Sequence, residues 1–302
     1  MNEATTASPA RTWKKIACFY ILTILFSGIF GGFIMFAGKM NVGDLLFVTG
    51  AMWSPALAVF VTKKIFGESI RDLAWQWGEN RYAWIGYFVP LLYALPVYVV
   101  VWLTGLGAFN WDTVQKIAAN YGWQNLPLGL TLILFVLLTA TVGLIAKLGR
   151  ALGEEIGWRG FLVPELAKVL PFPMVGLVSG LMWAAYHYPV LLFADYNNGV
   201  PKPYALICFT LMVIFGSIVM AWLVLRARSL WPAAILHASH NLFIQSIFTP
   251  LTGDTGQTKY IVDEFGIGLV ITTAIGAAIV LLVAAAETKN SIARRSREMS
   301  KV

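Results

Sequence analysis

The chain has 302 residues, of which 58% are hydrophobic and 12% charged, and its mean hydropathy is +0.71. A soluble domain carries about a quarter charged residues, so this composition excludes an ordinary soluble protein and indicates an integral membrane protein. The formal net charge of +7 is accompanied by no basic helix, zinc-finger spacing or aromatic-basic motif, so we expect no nucleic-acid partner. The excess of positive charge instead indicates how the chain is oriented in a lipid bilayer.

Eight apolar runs are long enough to be membrane-spanning helices, because about 20 apolar residues cross roughly 30 Å of hydrocarbon. Bilayers admit helices or closed barrels, and these runs lack the two-residue alternation of barrel strands. We therefore expect an all-α fold, a polytopic transmembrane helical bundle with an intramembrane polar cavity. The predicted spans are 16–38, 43–62, 82–107, 128–148, 172–193, 204–225, 230–250 and 265–286.

The domain organisation predicted from these runs is simple. We expect one transmembrane domain over residues 16–286, a cytoplasmic N-terminal tail at 1–15 and a basic cytoplasmic tail at 287–302. The first run is too long for a signal-peptide core and has no small-residue cleavage site after it, so it is predicted to stay as an anchor. A short amphipathic piece is expected within the connection 108–127.

The distribution of Lys and Arg predicts the orientation, since cytoplasmic connections collect these residues. All but four of the 22 Lys and Arg residues fall on the side of the predicted bundle that carries both termini. The four exceptions are Lys39, Lys116, Lys202 and Lys259. The residues assigned to the fourth connection, on the side of the termini, are Lys147, Arg150, Arg159 and Lys168. Both termini are therefore predicted to be cytoplasmic, and a compact chain without a eukaryotic targeting signal favours a prokaryotic plasma membrane.

Three polar stretches interrupt the apolar sequence: GEEIGWRGFLVPE at 153–165, WAAYHYP at 183–189 and ILHASHNLF at 235–243. Ionisable side chains inside membrane segments are expensive, so each stretch is a functional hypothesis. All the histidines of the chain lie in the last two stretches; they are His187, His237 and His240. Each stretch also has a structural alternative, namely an interfacial ion-pair cluster for the first and interhelical hydrogen bonds for the others.

Helical spacing assigns different roles to the two adjacent glutamates. Glu155 and Arg159 are four residues apart and share a helix face, whereas Glu154 points about 100° away and has no partner on its own helix. Two carboxylates in a dry site do not both ionise without a partner. Glu154 is therefore the candidate general base that takes a proton from water. Gly149, Gly153 and Gly157 form a smooth strip on which another helix can pack closely.

The same reasoning gives the histidines and Asn241 a part in hydrolysis. His237 and Asn241 are one helical turn apart. One histidine could hold the attacking water, while Asn241 and a second histidine could donate hydrogen bonds to a developing oxyanion. Straight spans would leave Glu154 just beyond the end of the fourth span. We therefore expect that its helix begins elsewhere or tilts back into the membrane.

The ordered motifs resemble those of the CAAX protease and bacteriocin-processing family of intramembrane endopeptidases, which includes relatives of the CAAX prenyl protease and of lysostaphin-resistance proteins. They are EExxxR, then an aromatic residue and a histidine separated by three residues, then HxxxN, over about residues 130–250. Trp183 stands where Phe is usual. The resemblance implies that Glu154 activates water with help from His187, and that Glu155 and Arg159 support the site. It also implies that His237 and Asn241 stabilise the tetrahedral intermediate. His240 lies outside the motif and receives no catalytic role.

The predicted substrate is a membrane-associated protein or peptide, prenylated or not, that enters the cavity from the cytoplasm beside the lipid bilayer. No cofactor is expected to be required. Zinc bound by Glu154, His187 and His237 is the alternative, and an amide such as that of Asn241 is a poor zinc ligand. Two other functions stay open, a proton-coupled transporter and a non-catalytic immunity or scaffold protein. Four further acidic residues are read as loop charges: Asp195, Asp254, Asp263 and Glu264.

Overall fold

The computed structural model describes residues 8–37 and 45–299, and most of these residues are helical. Of the residues used above for orientation, Lys39 and Lys301 lie outside these ranges. The helices are α1 (Pro9–Ala37), α2 (Leu45–Ile65), α3 (Asn80–Thr104), α4 (Trp111–Tyr121), α5 (Leu128–Leu138), α6 (Leu144–Gly157), α7 (Val163–Leu166), α8 (Phe172–Phe193), α9 (Lys202–Ala227), α10 (Trp231–His240) and α11 (Ile267–Met299). Two three-residue strands, β1 (Gly107–Phe109) and β2 (Thr252–Asp254), pair antiparallel. The all-α prediction is confirmed.

Seven helical stretches within the described ranges are long and apolar enough to cross a membrane. They correspond to seven of the eight predicted spans. The eighth, predicted at 230–250, is helical as well, because α10 continues as a π-helical segment through Asn241–Phe248. It is too polar to meet the same criterion, since it carries two histidines, an asparagine and a glutamine. Its polar side chains contribute to the site described below.

The fourth span, predicted at 128–148, is longer in the structure. α5, α6 and α7 form one helical stretch, Leu128–Leu166, joined by π-helical turns at Thr139–Gly143 and Trp158–Leu162. Lys147, Arg150 and Arg159, which the sequence assigned to a cytoplasmic connection, therefore lie within this helix. These three residues therefore no longer indicate the orientation of the chain. The remaining Lys and Arg residues are still more frequent at one end of the bundle than at the other.

This long helix is inclined to its neighbours. The Tyr87 hydroxyl of α3 donates a hydrogen bond to the Ala140 carbonyl, and His237 of α10 contacts Glu155. Tyr87 is seven residues from the start of α3, and His237 is six residues from the start of α10. Because these two helices pack side by side, the two residues lie at similar depth in the bundle. Residues 140 and 155 are about 22 Å apart along a helix axis. The helix therefore tilts across the bundle, which brings the glutamates level with the histidines.

The connections meet at two opposite ends of the bundle. At the end that carries the first residues of α1, Lys15 forms ion pairs with Glu68 at 3.0 Å and Glu165 at 2.8 Å. At the other end β1 pairs with β2, and Lys259 Nζ donates to the Gly199 carbonyl oxygen at 3.0 Å. These contacts confirm the predicted alternation of the helices. The first end is called the terminal end below, and the second the far end.

The predicted glycine strip is confirmed at two of its three positions. A Cβ atom on Gly153 would lie 2.8 Å from the Trp53 Cα atom, and one on Gly157 would lie 2.5 Å from the Pro55 Cβ atom. α2 and α6 can therefore pack this closely because neither glycine has a side chain. A Cβ atom on Gly149 would meet no described atom within 4 Å. Gly149 lies at the edge of this contact.

Candidate active site

A cavity of about 560 Å³ lies within the bundle, with polar side chains set in a mostly apolar lining, and its size is in the range of pockets that hold small organic ligands or short peptide segments. Much of its wall comes from the parts of α1, α2 and α8 that are nearer the far end. They include residues 24–35 of α1, 48–52 of α2 and 183–190 of α8, together with the connections at 195–198 and 263–265. None of its described lining residues belongs to a connection at the terminal end. The cavity therefore reaches the far end, where the exposed Asp195 and Asn198 line it.

Four of the predicted site residues line this one cavity: Glu154, His187, His237 and Asn241. They come from α6, α8, α10 and the π-helical segment that follows α10, so the fold brings together side chains that are up to 87 positions apart in the sequence. Asn241 is the first residue of the π-helical segment Asn241–Phe248, and Glu154 lies one turn before the segment Trp158–Leu162. Such segments are common at functional sites. Glu155 and Arg159 lie behind the cavity wall, fully buried.

Glu154 has a partner that the sequence did not predict. The Trp183 indole Nε1 donates a hydrogen bond of 2.6 Å to Glu154 Oε2, and both side chains are buried. Oε1 of Glu154 has no described hydrogen-bond partner and remains available to the cavity. The expectation that Glu154 has no partner on its own helix is correct, since Trp183 comes from α8. The indole fixes one carboxylate oxygen and leaves the other for a ligand.

Glu155 organises the second layer of the site. Its Oε1 atom accepts hydrogen bonds from Arg159 Nη1 at 3.1 Å and from His237 Nδ1 at 2.9 Å. Arg159 Nη2 also donates to Ser217 Oγ at 3.0 Å, and the guanidinium lies 4.0 Å from the centre of the Trp183 ring. A buried carboxylate without such partners would be costly. Glu155 thereby orients His237, so that its Nε2 atom is the one left for the cavity.

His187 is oriented by its own helix and by aromatic neighbours. Its Nδ1 atom donates to the Trp183 carbonyl oxygen at 3.0 Å, one turn earlier in α8. The rings of Tyr186 and Phe209 lie 4.9 and 5.1 Å from the imidazole. Since Nδ1 carries the hydrogen, Nε2 of a neutral imidazole is an acceptor and faces no described partner. His187 is thus arranged to accept a hydrogen bond from a ligand in the cavity.

Asn241 completes the set of unengaged groups. Its side-chain amide lines the cavity and forms no hydrogen bond with another described residue. Glu154 Oε1, His187 Nε2, His237 Nε2 and the Asn241 amide therefore offer two acceptors and up to two donors to one cavity. Polar groups in a membrane-embedded cavity that are not satisfied by the protein are suited to water or a polar ligand.

A second polar cluster lies in the cavity wall and corrects the reading of Asp263 and Glu264 as loop charges. Glu264 is 5% exposed and accepts hydrogen bonds from His240 Nε2, Tyr196 Oη and Gln245 Nε2 at 2.8, 2.5 and 2.9 Å. Burial alone would raise the pKa of Glu264, but these hydrogen bonds hold it at about 2. Burial, followed by the charge of Glu264, raises the pKa of Asp263 to about 7. His240, without a role in the sequence motif, is a structural partner in this cluster.

The sequence did not predict two features of the site. Trp183 was noted as a departure from the usual phenylalanine, but the role of its N–H group depends on the distance to another helix. Asp263 and Glu264 follow an ordinary polar connection, and only their burial distinguishes them from loop charges. For metals, no group of three His, Cys, Asp or Glu side chains that could hold an ion occurs in residues 8–37 and 45–299. Glu154, His187 and His237 share the cavity without forming such a group.

A comparison with protein-family models identifies a relationship. The family model described as Rce1-like, type II CAAX prenyl endopeptidase, matches residues 129–243. This region runs from the start of α5 to the π-helical segment after α10, and it contains all six predicted site residues. Comparison with curated proteins found no match.

Proposed function

We propose that the protein is an intramembrane endopeptidase that uses Glu154 to activate water, because residues 129–243 match the family model of Rce1-like, type II CAAX prenyl endopeptidases. The family supports a protease in a membrane. The mechanism and the residue roles are our proposal. One observation carries it: Glu154, His187, His237 and Asn241 line the same cavity, each with a polar atom that has no described partner.

In the proposed reaction, a water molecule lies between Glu154 Oε1 and His187 Nε2. Glu154 removes a proton from the water molecule as the water oxygen attacks the carbonyl carbon of the peptide bond. The carbonyl oxygen becomes an oxyanion in the tetrahedral intermediate. The carbon–nitrogen bond then breaks, and the proton held by Glu154 passes to the leaving nitrogen. The products are a new carboxylic acid, which gives up its proton to solvent and becomes a carboxylate, and a new amine, and Glu154 is regenerated.

Two donors are available for the oxyanion. The Asn241 amide supplies one N–H group directly. His237 supplies another from Nε2 when its imidazole is protonated, while its Nδ1 atom stays hydrogen-bonded to Glu155. Donors that are already oriented towards the developing charge stabilise a transition state more than donors that must reorganise. Arg159 acts through Glu155, since it contacts the carboxylate that holds His237.

The position of the cavity indicates from which face the substrate enters. The cavity reaches the far end of the bundle, whereas the described Lys and Arg residues of the connections and of the last turns of α2 and α9 are concentrated at the terminal end. If the terminal end is cytoplasmic, as this charge distribution predicts, the cavity opens away from the cytoplasm. We therefore propose that the substrate is a peptide or membrane-protein segment that enters from the extracytoplasmic face, in place of the cytoplasmic entry expected from the sequence.

Cysteine labelling of intact cells tests this orientation. Gln115→Cys, on the exposed surface of α4 at the far end, is expected to react with a membrane-impermeant maleimide. Arg71→Cys, exposed at the terminal end, is the matched variant and is expected to react after lysis only. Both are made with Cys18 and Cys208, the free cysteines, replaced by alanine. The reverse labelling pattern would show that the cavity faces the cytoplasm.

The proposed catalysis is tested with Glu154→Gln. The purified variant is expected to unfold at the same temperature as the wild type, because Gln keeps an oxygen that can accept the Trp183 hydrogen bond. It is expected to lose cleavage of a susceptible peptide by at least about 100-fold, since general-base catalysis contributes that much or more. Glu79→Gln, at an exposed position, is the control and should cleave normally. Equal activity of Glu154→Gln and wild type would refute the assignment.

The proposed mechanism needs no metal ion. Elemental analysis of the purified protein and activity after chelation test this point. We expect turnover to be unchanged by a chelator. Stoichiometric zinc, whose removal abolishes cleavage and whose return restores it, would replace this mechanism with one in which Glu154, His187 and His237 bind the metal.

A further inference from the structure

The buried carboxylate of Glu264 binds the helical segment that carries Asn241. Its Oε1 atom accepts hydrogen bonds from His240 Nε2 at 2.8 Å and from Gln245 Nε2 at 2.9 Å. The imidazole is fixed from its other side as well, because Nδ1 accepts a hydrogen bond of 2.5 Å from the Tyr93 hydroxyl of α3. His240 directly precedes Asn241, and Gln245 follows it by four positions. One oxygen atom therefore holds the chain on both sides of the proposed oxyanion donor.

The spacing of His240 and Gln245 suits a π-helical turn better than an α-helical one. In an α-helix, two side chains five positions apart point about 140° away from each other. A π-helical turn has hydrogen bonds between residues five apart, which brings such a pair nearer to one face. The segment Asn241–Phe248 is π-helical. Since π-helical turns are rare, contacts that favour this form are needed, and a shared hydrogen-bond acceptor supplies one.

The backbone beside Glu264 is attached to the end of the same segment. The Asp263 N–H group donates to Tyr98 Oη at 3.2 Å, and the Tyr98 hydroxyl is hydrogen-bonded to Thr249 Oγ1 at 2.6 Å. Thr249 directly follows the π-helical segment. The connection between β2 and α11 thus contacts this segment at its start, in its middle and, through a tyrosine of α3, at its end.

Asn241 lies inside the turn that these contacts hold. Its side-chain amide has no hydrogen-bond partner among the described residues, so the direction of the amide depends on the backbone that carries it. We propose that Glu264 is a positioning residue for Asn241, because by binding His240 and Gln245 it fixes this turn with the amide directed into the cavity. The inference rests on the proposed function, in which Asn241 donates to the oxyanion. A donor that is oriented before the reaction stabilises the transition state most.

Gln245→Met tests this role more sharply than a substitution of Glu264. The other oxygen of Glu264 accepts from Tyr196, whose ring lies 6.4 Å from that of His187, so replacing Glu264 would disturb two parts of the site. Gln245→Met removes one N–H donor and leaves Glu264 with its hydrogen bonds from His240 and Tyr196. The variant is therefore expected to fold, which thermal unfolding in detergent checks.

Steady-state cleavage of a peptide by Gln245→Met should show a fall in kcat of at least about tenfold, because small misplacements of a catalytic group cost this much or more. KM should stay near the wild-type value, since oxyanion donors act in the transition state. Gln115→Met, at an exposed position of α4, is the matched control and should keep the wild-type kcat. Wild-type kcat in Gln245→Met, or a rise in KM with kcat unchanged, would overturn the proposal.

A double-mutant cycle with Asn241→Ala distinguishes positioning from a direct contact between Gln245 and the substrate. Asn241→Ala alone should lower kcat by about 100- to 1,000-fold, the usual effect of losing an oxyanion donor. Adding Gln245→Met should lower it no further, because the group that Gln245 helps to position is already absent. Losses that multiply in the double variant would show that Gln245 acts independently of Asn241 and would overturn the proposal.

Amide hydrogen exchange over residues 241–249, measured by mass spectrometry, reports the turn without requiring activity. Exchange should be faster in Gln245→Met than in the wild type and unchanged in Gln115→Met, since losing a contact lowers the free energy of local opening. Equal exchange in Gln245→Met and the wild type would show that the contact does not hold the turn. Failure of the proposed function looks different, because Asn241→Ala would then cleave as well as the wild type while exchange in Gln245→Met would still be faster.

Discussion

The indole Nε1 of Trp183 donates a hydrogen bond of 2.6 Å to Oε2 of Glu154. This contact joins α8 to α6 at the proposed general base and fixes the carboxylate relative to His187, one turn further along α8. In the usual motif a phenylalanine occupies this position and has no N–H group to donate. The orientation of the glutamate in this chain therefore depends on a group that the usual motif lacks.

Trp183→Phe removes this donor and keeps an aromatic ring beside Arg159. A hydrogen bond to a charged group contributes about 1.5–3 kcal/mol, so we expect kcat to fall about 10- to 100-fold. KM should stay near the wild-type value, because the indole contacts the general base and not the substrate. Steady-state cleavage of a peptide checks both constants.

Trp222→Phe is the matched control for that variant. The Trp222 Nε1 atom is buried without a hydrogen-bond partner among the described residues, so its removal costs no bond and should leave kcat unchanged. Wild-type kcat in Trp183→Phe, or equal losses in the two variants, would show that the indole N–H group does not position Glu154.

Arg159→Met tests the buried ion pair behind the cavity. Arg159 and Glu155 have side-chain exposures of 0%, and removing one partner of such a pair costs about 3–5 kcal/mol because the other charge stays buried. We expect a clear loss of thermal stability in detergent and a loss of activity. Arg81→Met removes an exposed partner of Glu79 and should change the free energy of unfolding by less than about 1 kcal/mol. Similar effects of the two substitutions would contradict the importance of burial.

The close packing of α2 against α6 predicts different effects for two glycines of the same strip. Gly157→Ala would place a Cβ atom 2.5 Å from Pro55 Cβ and 3.1 Å from its carbonyl carbon. The helices must separate, which should cost about 1–3 kcal/mol of stability and displace Glu154. Gly149→Ala meets no described atom within 4 Å and should be neutral or slightly stabilising, since alanine favours helices. Thermal unfolding of both variants in detergent checks this, and equal stabilities would refute it.

The buried carboxyl group of Asp263 predicts how the stability of the protein depends on pH. Its pKa is raised from 3.8 to about 7, so the folded protein holds a proton that the unfolded chain has released. The stability contributed by this residue is therefore largest below pH 3.8 and is lost as the pH rises to about 7. Asp263→Asn removes this dependence, keeps the oxygen that accepts the Glu264 N–H group at 2.7 Å, and suits the left-handed backbone at φ 68°.

We expect Asp263→Asn to be more stable than the wild type at about pH 8, above the raised pKa, with a difference that shrinks towards about pH 4. Thermal unfolding in detergent at several pH values measures it. A difference that grows towards low pH would mean that Asp263 is ionised and stabilising in the folded protein, which would contradict the environment described here.

The sequence was sufficient to predict the helical bundle and to select four polar residues that line one cavity. The apolar runs predict the spans because the thickness of the bilayer sets their length, and the polar stretches stand out because charged groups are costly in lipid. The eighth run was predicted as well, although α10 and its π-helical extension are much more polar than the other spans. Glu154, His187, His237 and Asn241 line one cavity, while their chemical roles stay a prediction.

The features that the sequence did not predict depend on contacts between distant residues. The inclination of the long helix follows from its packing against α3 and α10, and local spacing cannot report it. Because of this inclination, Lys147 and Arg150 line the cavity, although the sequence assigned them to a connection. The burial of Asp263 and Glu264 depends on the connection between β2 and α11 folding over the cavity, where His240 and Tyr196 meet Glu264.

The origin of the oxygen atom in the new carboxylate tests the central claim most directly. Wild-type protein in excess over a peptide substrate is allowed one turnover in water enriched in oxygen-18, and the product is analysed by mass spectrometry. If Glu154 activates water, the new carboxylate contains one oxygen-18 atom after this first turnover. A product with oxygen-16 at both positions would show that an oxygen of the protein attacked the substrate, and it would contradict the account.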